Sequence, residues 1–199
     1  MRLLVFWDSI WEGLYDLKKW GWTNRLKIKL WRKGIYLWNC SISWFTSNDV
    51  LSYFDSFLSS FTKKEEKNDT AIIIAIWTND SMIYDKKDNI TNEIFETNLK
   101  EIISLCKSHD FIKNIFFIST TNCDEEKTNP VLWWKFYYSN KNLETYNEII
   151  KRITKENDLY YIDIYWLLDK TDFYDWLHPN QNWHKKIYKK VYNYIKNKI

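Results

Sequence analysis

The sequence predicts one α/β domain spanning residues 1–199: an open, mainly parallel sheet of five strands between two layers of helices. Three observations lead there. Short uninterrupted apolar runs recur along the chain, and such runs suit strands covered on both faces. Amphipathic stretches with helical spacing separate them. The length of 199 residues is one domain's worth, enough to bury roughly two-thirds of the unfolded surface without disulfide or metal staples.

The elements follow in order. Leu3-Leu4-Val5-Phe6 reads as the first strand, and Thr23 to Trp31 as a first helix after Gly21. Ile35 to Leu37 is a second, weaker strand. Val50, Phe54, Phe57 and Phe61 share one helical face, with Thr46 and Ser47 before them as caps. The charge run Thr62 to Asp69 reads as a solvated loop. Ala71 to Ile76 forms a strand, Phe95, Leu99, Ile102, Ile103 and Cys106 a helical stripe, and Ile115 to Ile118 another strand. Thr120 to Asn142 is a long connection with few regular features, and loops of that length often carry function. Leu143, Tyr146, Ile150 and Ile153 mark a further helix, Tyr160 to Ile164 the last strand, and Ile187, Val191 and Ile195 the closing helix. The stripes read as core packing.

Composition excludes several classes. A net charge of +3 is far from the basic footprint of a nucleic-acid binder. No apolar run approaches the ~20 residues that cross a bilayer. Leu3 to Phe6 is too short for the apolar core of a signal peptide, and Asp8 closes it, so a cytoplasmic protein without stable membrane insertion is expected. Three cysteines, Cys40, Cys106 and Cys123, show no metal-ligand spacing and point to reduced thiols.

In open α/β sheets the chemistry lies just past the carboxyl ends of the strands. Those positions here read Trp7-Asp8-Ser9-Ile10, then Ser41-Ile42-Ser43-Trp44, then Trp77-Thr78-Asn79-Asp80, and finally Asp175-Trp176-Leu177-His178-Pro179-Asn180. A nucleophile-type hydroxyl, an amide and a His/Asp pair thus collect at one edge. Taken alone, Ser9 reads as a cap after Asp8, and Asn79 and Asp175 as turn residues. His109 sits in a polar connection and reads as surface; His184 opens the last helix and reads as structural.

The four blocks together resemble the SGNH hydrolases, the GDSL esterase/lipase family, whose pattern is a Gly-Asp-Ser turn, a Gly-bearing turn after strand two, Gly-x-Asn-Asp, and Asp-x-x-His-Pro. The resemblance runs from Leu3 to about Ile195 and implies a flavodoxin-like three-layer α/β/α sandwich. It implies Ser9 as nucleophile, His178 as general base and Asp175 as its orienting carboxylate. It also implies an oxyanion hole made by the N–H groups of Ser9 and Trp44 with the Asn79 side chain. Small-molecule acyl esters are the implied substrates, from short acyl esters and acetylated sugars to lysophospholipids, with no cofactor and no metal. Asp8, Thr78 and Asp80 read as turn and capping support, and Tyr137 and Tyr138 as a wall for the alcohol side.

One departure is systematic. The chain has 13 Trp and only 3 Gly, where about 14 Gly are usual for this length. Trp stands at family glycine positions 7, 44, 77, 176 and 183, and also at 20. Glycine serves positive φ and close backbone approach, which an indole opposes. The expectation is that most of these letters stand for glycine, as when a UGA codon read as glycine is translated under a table that reads it as tryptophan. Trp22 is the exception expected to be a true Trp, and Trp11, Trp31, Trp38, Trp133, Trp134 and Trp166 are open. If the letters are literal, the competing readings are a catalytically dead member of the fold or an aromatic-rich binding module.

Overall fold

The computed structural model describes residues 1–11, 16, 19–61, 69–128 and 135–199; the side chains of Trp7 and Trp11 are outside the description, as are Trp133, Trp134 and all but the last residue of the Thr62 to Asp69 run. Five parallel strands form the central sheet: β1 (Arg2–Trp7), β2 (Tyr36–Asn39), β3 (Thr70–Ala75), β6 (Ile112–Ile118) and β8 (Tyr160–Ile162), in spatial order β2-β1-β3-β6-β8. A small antiparallel sheet joins β4 (Ile83–Tyr84), β5 (Lys87–Asp88) and β7 (Phe136–Tyr137). The helices are α1 (Gly21–Trp31), α2 (Ser47–Phe61), α3 (Trp77–Asp80), α4 (Asn92–Lys107), α5 (Glu125–Thr128), α6 (Asn140–Glu156) and α7 (Gln181–Ile195).

Strand alternation explains the layers. Leu3, Val5, Ala71 and Ile73 face one side and pack with Leu26 and Leu30 of α1 and with Ile187, Val191 and Ile195 of α7. Leu4, Phe6, Ile72 and Ile74 face the other, against Val50 and Phe54 of α2, Leu99 of α4 and Ile150 of α6. Every residue of β3 is buried, as a strand clothed on both faces must be. The predicted α/β/α sandwich is therefore the observed one.

Helix starts are satisfied locally. The side chains of Thr91, Ser139 and Asn180 accept N–H groups of the first turns of α4, α6 and α7. At α2, the Asp49 carboxylate reaches back to the Thr46 N–H at 2.8 Å. At α1, buried Asp16 accepts the N–H of Lys19 and of Gly21, both at 3.2 Å, and pairs with Arg25 at 2.8 Å. The chain enters α1 through two successive left-handed residues, Trp20 at φ 54° and Gly21 at φ 81°.

Two expectations shift. The last strand ends at Ile162 rather than Ile164, because the Ser119 hydroxyl takes the Ile164 N–H at 2.8 Å and Asp163 takes the Tyr165 N–H at 2.9 Å, turning the chain into a 3-10 turn. The long connection contains α5 and β7 and ends at the start of α6, Asn140. Elements of two and four residues carry no periodicity to read. The three cysteines are free and buried, and burial pushes each thiol up to about 12. Among the described residues, no helix is long and apolar enough to cross a membrane.

Candidate active site

Strand β1 delivers Asp8 and Ser9 to the sheet edge, where the chain turns into a short 3-10 helix, Ser9–Trp11. The Asp8 carboxylate accepts the Ile10 N–H at 3.1 Å and so shapes the turn that presents Ser9. The Ser9 hydroxyl lies 3.3 Å from His178 Nε2, and His178 Nδ1 lies 2.7 Å from the Asp175 carboxylate. The second oxygen of Asp175 accepts the N–H of Leu177 at 2.7 Å and of His178 at 2.6 Å. Burial raises the Asp175 carboxyl, but the hydrogen bond and charge of His178 and the two backbone N–H groups outweigh it, and its pKa lies below the ordinary value. A hydroxyl, an imidazole and a carboxylate in this sequence can move a proton off the hydroxyl as its oxygen attacks.

The opposite wall comes from two other strand ends. After β2, a turn closed by Phe45 N–H to Ile42 O at 3.3 Å places Trp44 at φ 68°, the third turn position, where positive φ usually calls for glycine. After β3, α3 carries Asn79, whose amide nitrogen donates to Phe45 O at 3.0 Å. The Tyr138 hydroxyl bonds Asn79 Oδ1 at 3.2 Å. A carbonyl oxygen only accepts, so the amide nitrogen faces Phe45 and its oxygen faces Tyr138, which is the donor. One Nδ2 hydrogen goes to Phe45, and the amide carries a second. Ser9, Ser43, Trp44, Asn79 and His178 line a cavity of about 230 Å³, with Phe136, Tyr138, Asp175, Trp176 and Leu177 completing it.

Beneath the site lie two fully buried carboxyls. Burial pushes Asp8 up to about 8 against the Ile10 N–H and the Thr78 hydroxyl, with the charge of Asp80 adding to the rise. Burial pushes Asp80 up to about 7 against its bonds from Ser47. Both Asp80 oxygens accept the Ser47 N–H at 3.0 Å, and the Ser47 hydroxyl also donates to it. Asn98 of α4 donates to that same hydroxyl at 2.8 Å, so Asp80 locks α3 to the first residue of α2.

All five residues singled out for the site, Ser9, Trp44, Asn79, Asp175 and His178, line this one cavity. His109 is elsewhere, 3.8 Å from Asp55, and His184 is buried within α7. Tyr138 lines the cavity, whereas Tyr137 pairs with Ile83 in the small sheet. Phe136 escaped sequence reasoning, since nothing in its spacing marks it, and Ser43 and Leu177 stood in the quoted blocks without a role of their own. The tryptophans divide. Trp77 is buried away from the cavity, donating to Ile118 O at 2.9 Å and stacked on Phe117; Trp183 is buried in α7. Trp44 and Trp176 do line the cavity. Among the described residues, no group of three His, Cys, Asp or Glu is placed to hold a metal ion.

The model of the GDSL-like lipase/acylhydrolase family matches residues 6–186. The chain belongs to this family. Solved structures share the GDSL-like fold at low identity. One is a lipolytic G-D-S-L family protein from Veillonella parvula, 14% identical, with TM-score 0.76 and 98% of each chain covered. The lipase/acylhydrolase from Enterococcus faecalis is 18% identical, with TM-score 0.75, covering 100% of this chain and 97% of that one. A catalytic mutant of an acetylxylan esterase from Geobacillus stearothermophilus is 16% identical, with TM-score 0.73, covering 98% and 93%. No protein with a curated description matches the chain. Membership of the GDSL-like acylhydrolases supports ester hydrolase activity.

The buried carboxyls give this GDSL-like chain a pH signature. Asp8 is raised from 3.8 to about 8, so the folded chain keeps a proton that the unfolded chain has lost, and stability falls as pH rises from about 4 to about 8. Asp8→Asn keeps an uncharged side chain with a carbonyl acceptor. The variant is expected to flatten that fall and to raise Tm at pH 8 by a few °C, read by thermal melts across the range; an unchanged slope would mean that Asp8 is ionised in the fold.

Proposed function

We propose that this chain is a serine esterase that cleaves acyl esters of small molecules, with Ser9, His178 and Asp175 as its triad. The observation that carries this reading is the continuous chain from Ser9 Oγ through the His178 ring to Asp175. Ser9 Oγ attacks the ester carbonyl carbon as its proton passes to His178 Nε2. The oxyanion that forms is met by the N–H of Ser9, the N–H of residue 44 and the second hydrogen of the Asn79 amide. The carbon–oxygen bond to the alcohol then breaks, and His178 returns the proton to the departing alkoxide. Water, deprotonated by His178, attacks the acyl-enzyme; the bond to Ser9 Oγ breaks, His178 returns the proton to that oxygen, and the carboxylic acid leaves. Asp175 holds the imidazole in the tautomer that leaves Nε2 free to accept.

Tyr138 acts here as a positioning residue. Its hydroxyl holds Asn79 Oδ1 and keeps the amide hydrogens on the side of Phe45 and the cavity. The apolar walls Trp44, Phe136 and Trp176 suit a small uncharged acyl group. Asp175 and His178 are the only ionisable groups other than Tyr138 among the described residues lining the cavity, which favours neutral esters over the phosphodiester of a lysophospholipid. An acetylated sugar, of the kind named for the Geobacillus esterase, fits this description. The left-handed backbone at residues 20 and 44 supports glycine at those two positions, whereas residues 77 and 183 sit in helices and are buried, with no such requirement.

Four variants test this reading. A fluorophosphonate probe is expected to label the chain but not Ser9→Ala, and His178→Ala is expected to lose ~10⁴-fold or more in kcat on p-nitrophenyl acetate; turnover surviving in Ser9→Ala defeats the proposal. Tyr138→Phe is expected to lower kcat about tenfold with KM changed less than twofold, since losing a whole oxyanion donor costs ~10²–10³. Trp44→Gly removes a left-handed non-glycine residue that costs roughly 1–2 kcal/mol. Its Tm is expected to hold or rise, and its preference to widen from acetate toward butyrate esters. A Tm lower by several degrees would show that the indole supports the fold.

A further inference from the structure

We propose that the outer face of α1 and α7 is a docking surface for an anionic lipid bilayer. Charge along the chain is segregated. Residues 17–48 contain seven Lys or Arg and no Asp or Glu, and residues 176–199 contain six and none. These two stretches thus hold thirteen of the 29 cations and none of the 26 anions. The fold puts both in the same helical layer, since α1 and α7 pack together on one side of the sheet. The small net charge conceals this asymmetry.

The cations face solvent. Lys27, Lys29, Arg32 and Lys33 are exposed on α1 and just past it, and Lys185, Lys189 and Lys190 on α7. The two helices meet at Tyr192, with Lys29 Nζ 5.5 Å and Lys33 Nζ 5.7 Å from its ring centre. Lys19, Arg25, Ile28, Lys29, Arg32 and Tyr188 line a groove of about 200 Å³ between them. Arg25 is already answered by Asp16 and Lys186 by Asp172; the groove keeps Lys19, Lys29 and Arg32. The opposite layer mixes both signs: α2 carries Asp49 and Asp55 with no cation, α4 three Glu against two Lys, and α6 three Glu against four Lys or Arg.

Apolar side chains stand among these cations. Ile28 is 49% exposed, Tyr188 lines the groove with the cations, and exposed Trp31 packs against Tyr36 at the edge of this face. Cations interleaved with exposed apolar groups gain from a bilayer interface, where the apolar groups leave water while the cations meet lipid phosphates. Nucleic acid offers the cations the same phosphates but offers the aliphatic groups nothing. Of the thirteen cations eleven are Lys, point charges suited to diffuse attraction rather than forked recognition of bases. Charge, Ile28 and Tyr188 carry this inference whatever stands at positions 20, 31 and 38. The α7 helix begins three residues beyond His178, so a docked bilayer lies beside the edge that holds the candidate active site.

Cosedimentation of the full chain with phosphatidylcholine vesicles, with and without phosphatidylserine, tests this. Binding is expected only to vesicles containing phosphatidylserine, and is expected to vanish in ~1 M salt, where the screening length falls to ~3 Å. The Lys29→Glu, Arg32→Glu, Lys189→Glu variant is expected to bind at least ~tenfold more weakly. Its Tm reports whether it folds, and Lys185→Gln with Lys190→Gln serves if it does not. The control Lys151→Glu with Lys155→Glu, on the opposite layer, changes net charge without touching this face and is expected to bind normally. Equal binding to both vesicle types, binding to neither, equal loss in the control, or capture of duplex DNA without vesicles overturns the proposal.

Discussion

The parallel pairing of β1 with β3 is the constraint on which the rest of the molecule depends. Leu4 lies opposite Ile72 and Trp7 opposite Ala75, so the two strands end level and release their chains at the same height. That register places Asp8 and Ser9 beside Thr78, Asn79 and Asp80 although some seventy residues separate them. A slip of one residue would turn every side chain of a strand to the wrong layer. It would also part Ser9 from the amide across the cavity. The apolar packing that fixes the register therefore also fixes the chemistry.

Around that edge the polar groups hold one another. Asp80 anchors the start of α2, Asn98 of α4 joins the same hydroxyl, and Asn79 is clasped between the Phe45 carbonyl and Tyr138. Each of these side chains is buried, so each bond is made where water cannot compete and where leaving a partner unsatisfied is costly. That edge is held by a network drawn from α2 and α4 of one layer, from α3 and from the long connection, not by the strand ends alone.

Much of this was legible in the sequence. Uninterrupted apolar runs announced buried parallel strands, and the Phe54, Leu99, Ile150 and Val191 stripes announced the helices that cover them. Ser9 and Asn79 sit just past strands, whereas Asp175 and His178 follow two 3-10 turns beyond β8; all four were legible only through the order of the four blocks taken together. Tyr138 was legible only as a wall. Its grip on Asn79 depends on β7 pairing with β4, and two-residue strands leave no pattern. The basic face was hidden for a different reason. Net charge sums over the chain, whereas the cations of α1 and α7 become neighbours only after the intervening residues have crossed the sheet.

The three cysteines bear on where such a chain could work. A count of free thiols invites the inference of a reducing compartment, since thiols are oxidised elsewhere. Oxidation and disulfide exchange, however, run through the thiolate. Cys40 and Cys106 are buried in the core on one side of the sheet and Cys123 in the core on the other, and that burial pushes their thiols up to about 12. They pack as small apolar side chains within the core. Buried in this way, the three side chains present no exposed thiolate to a disulfide partner.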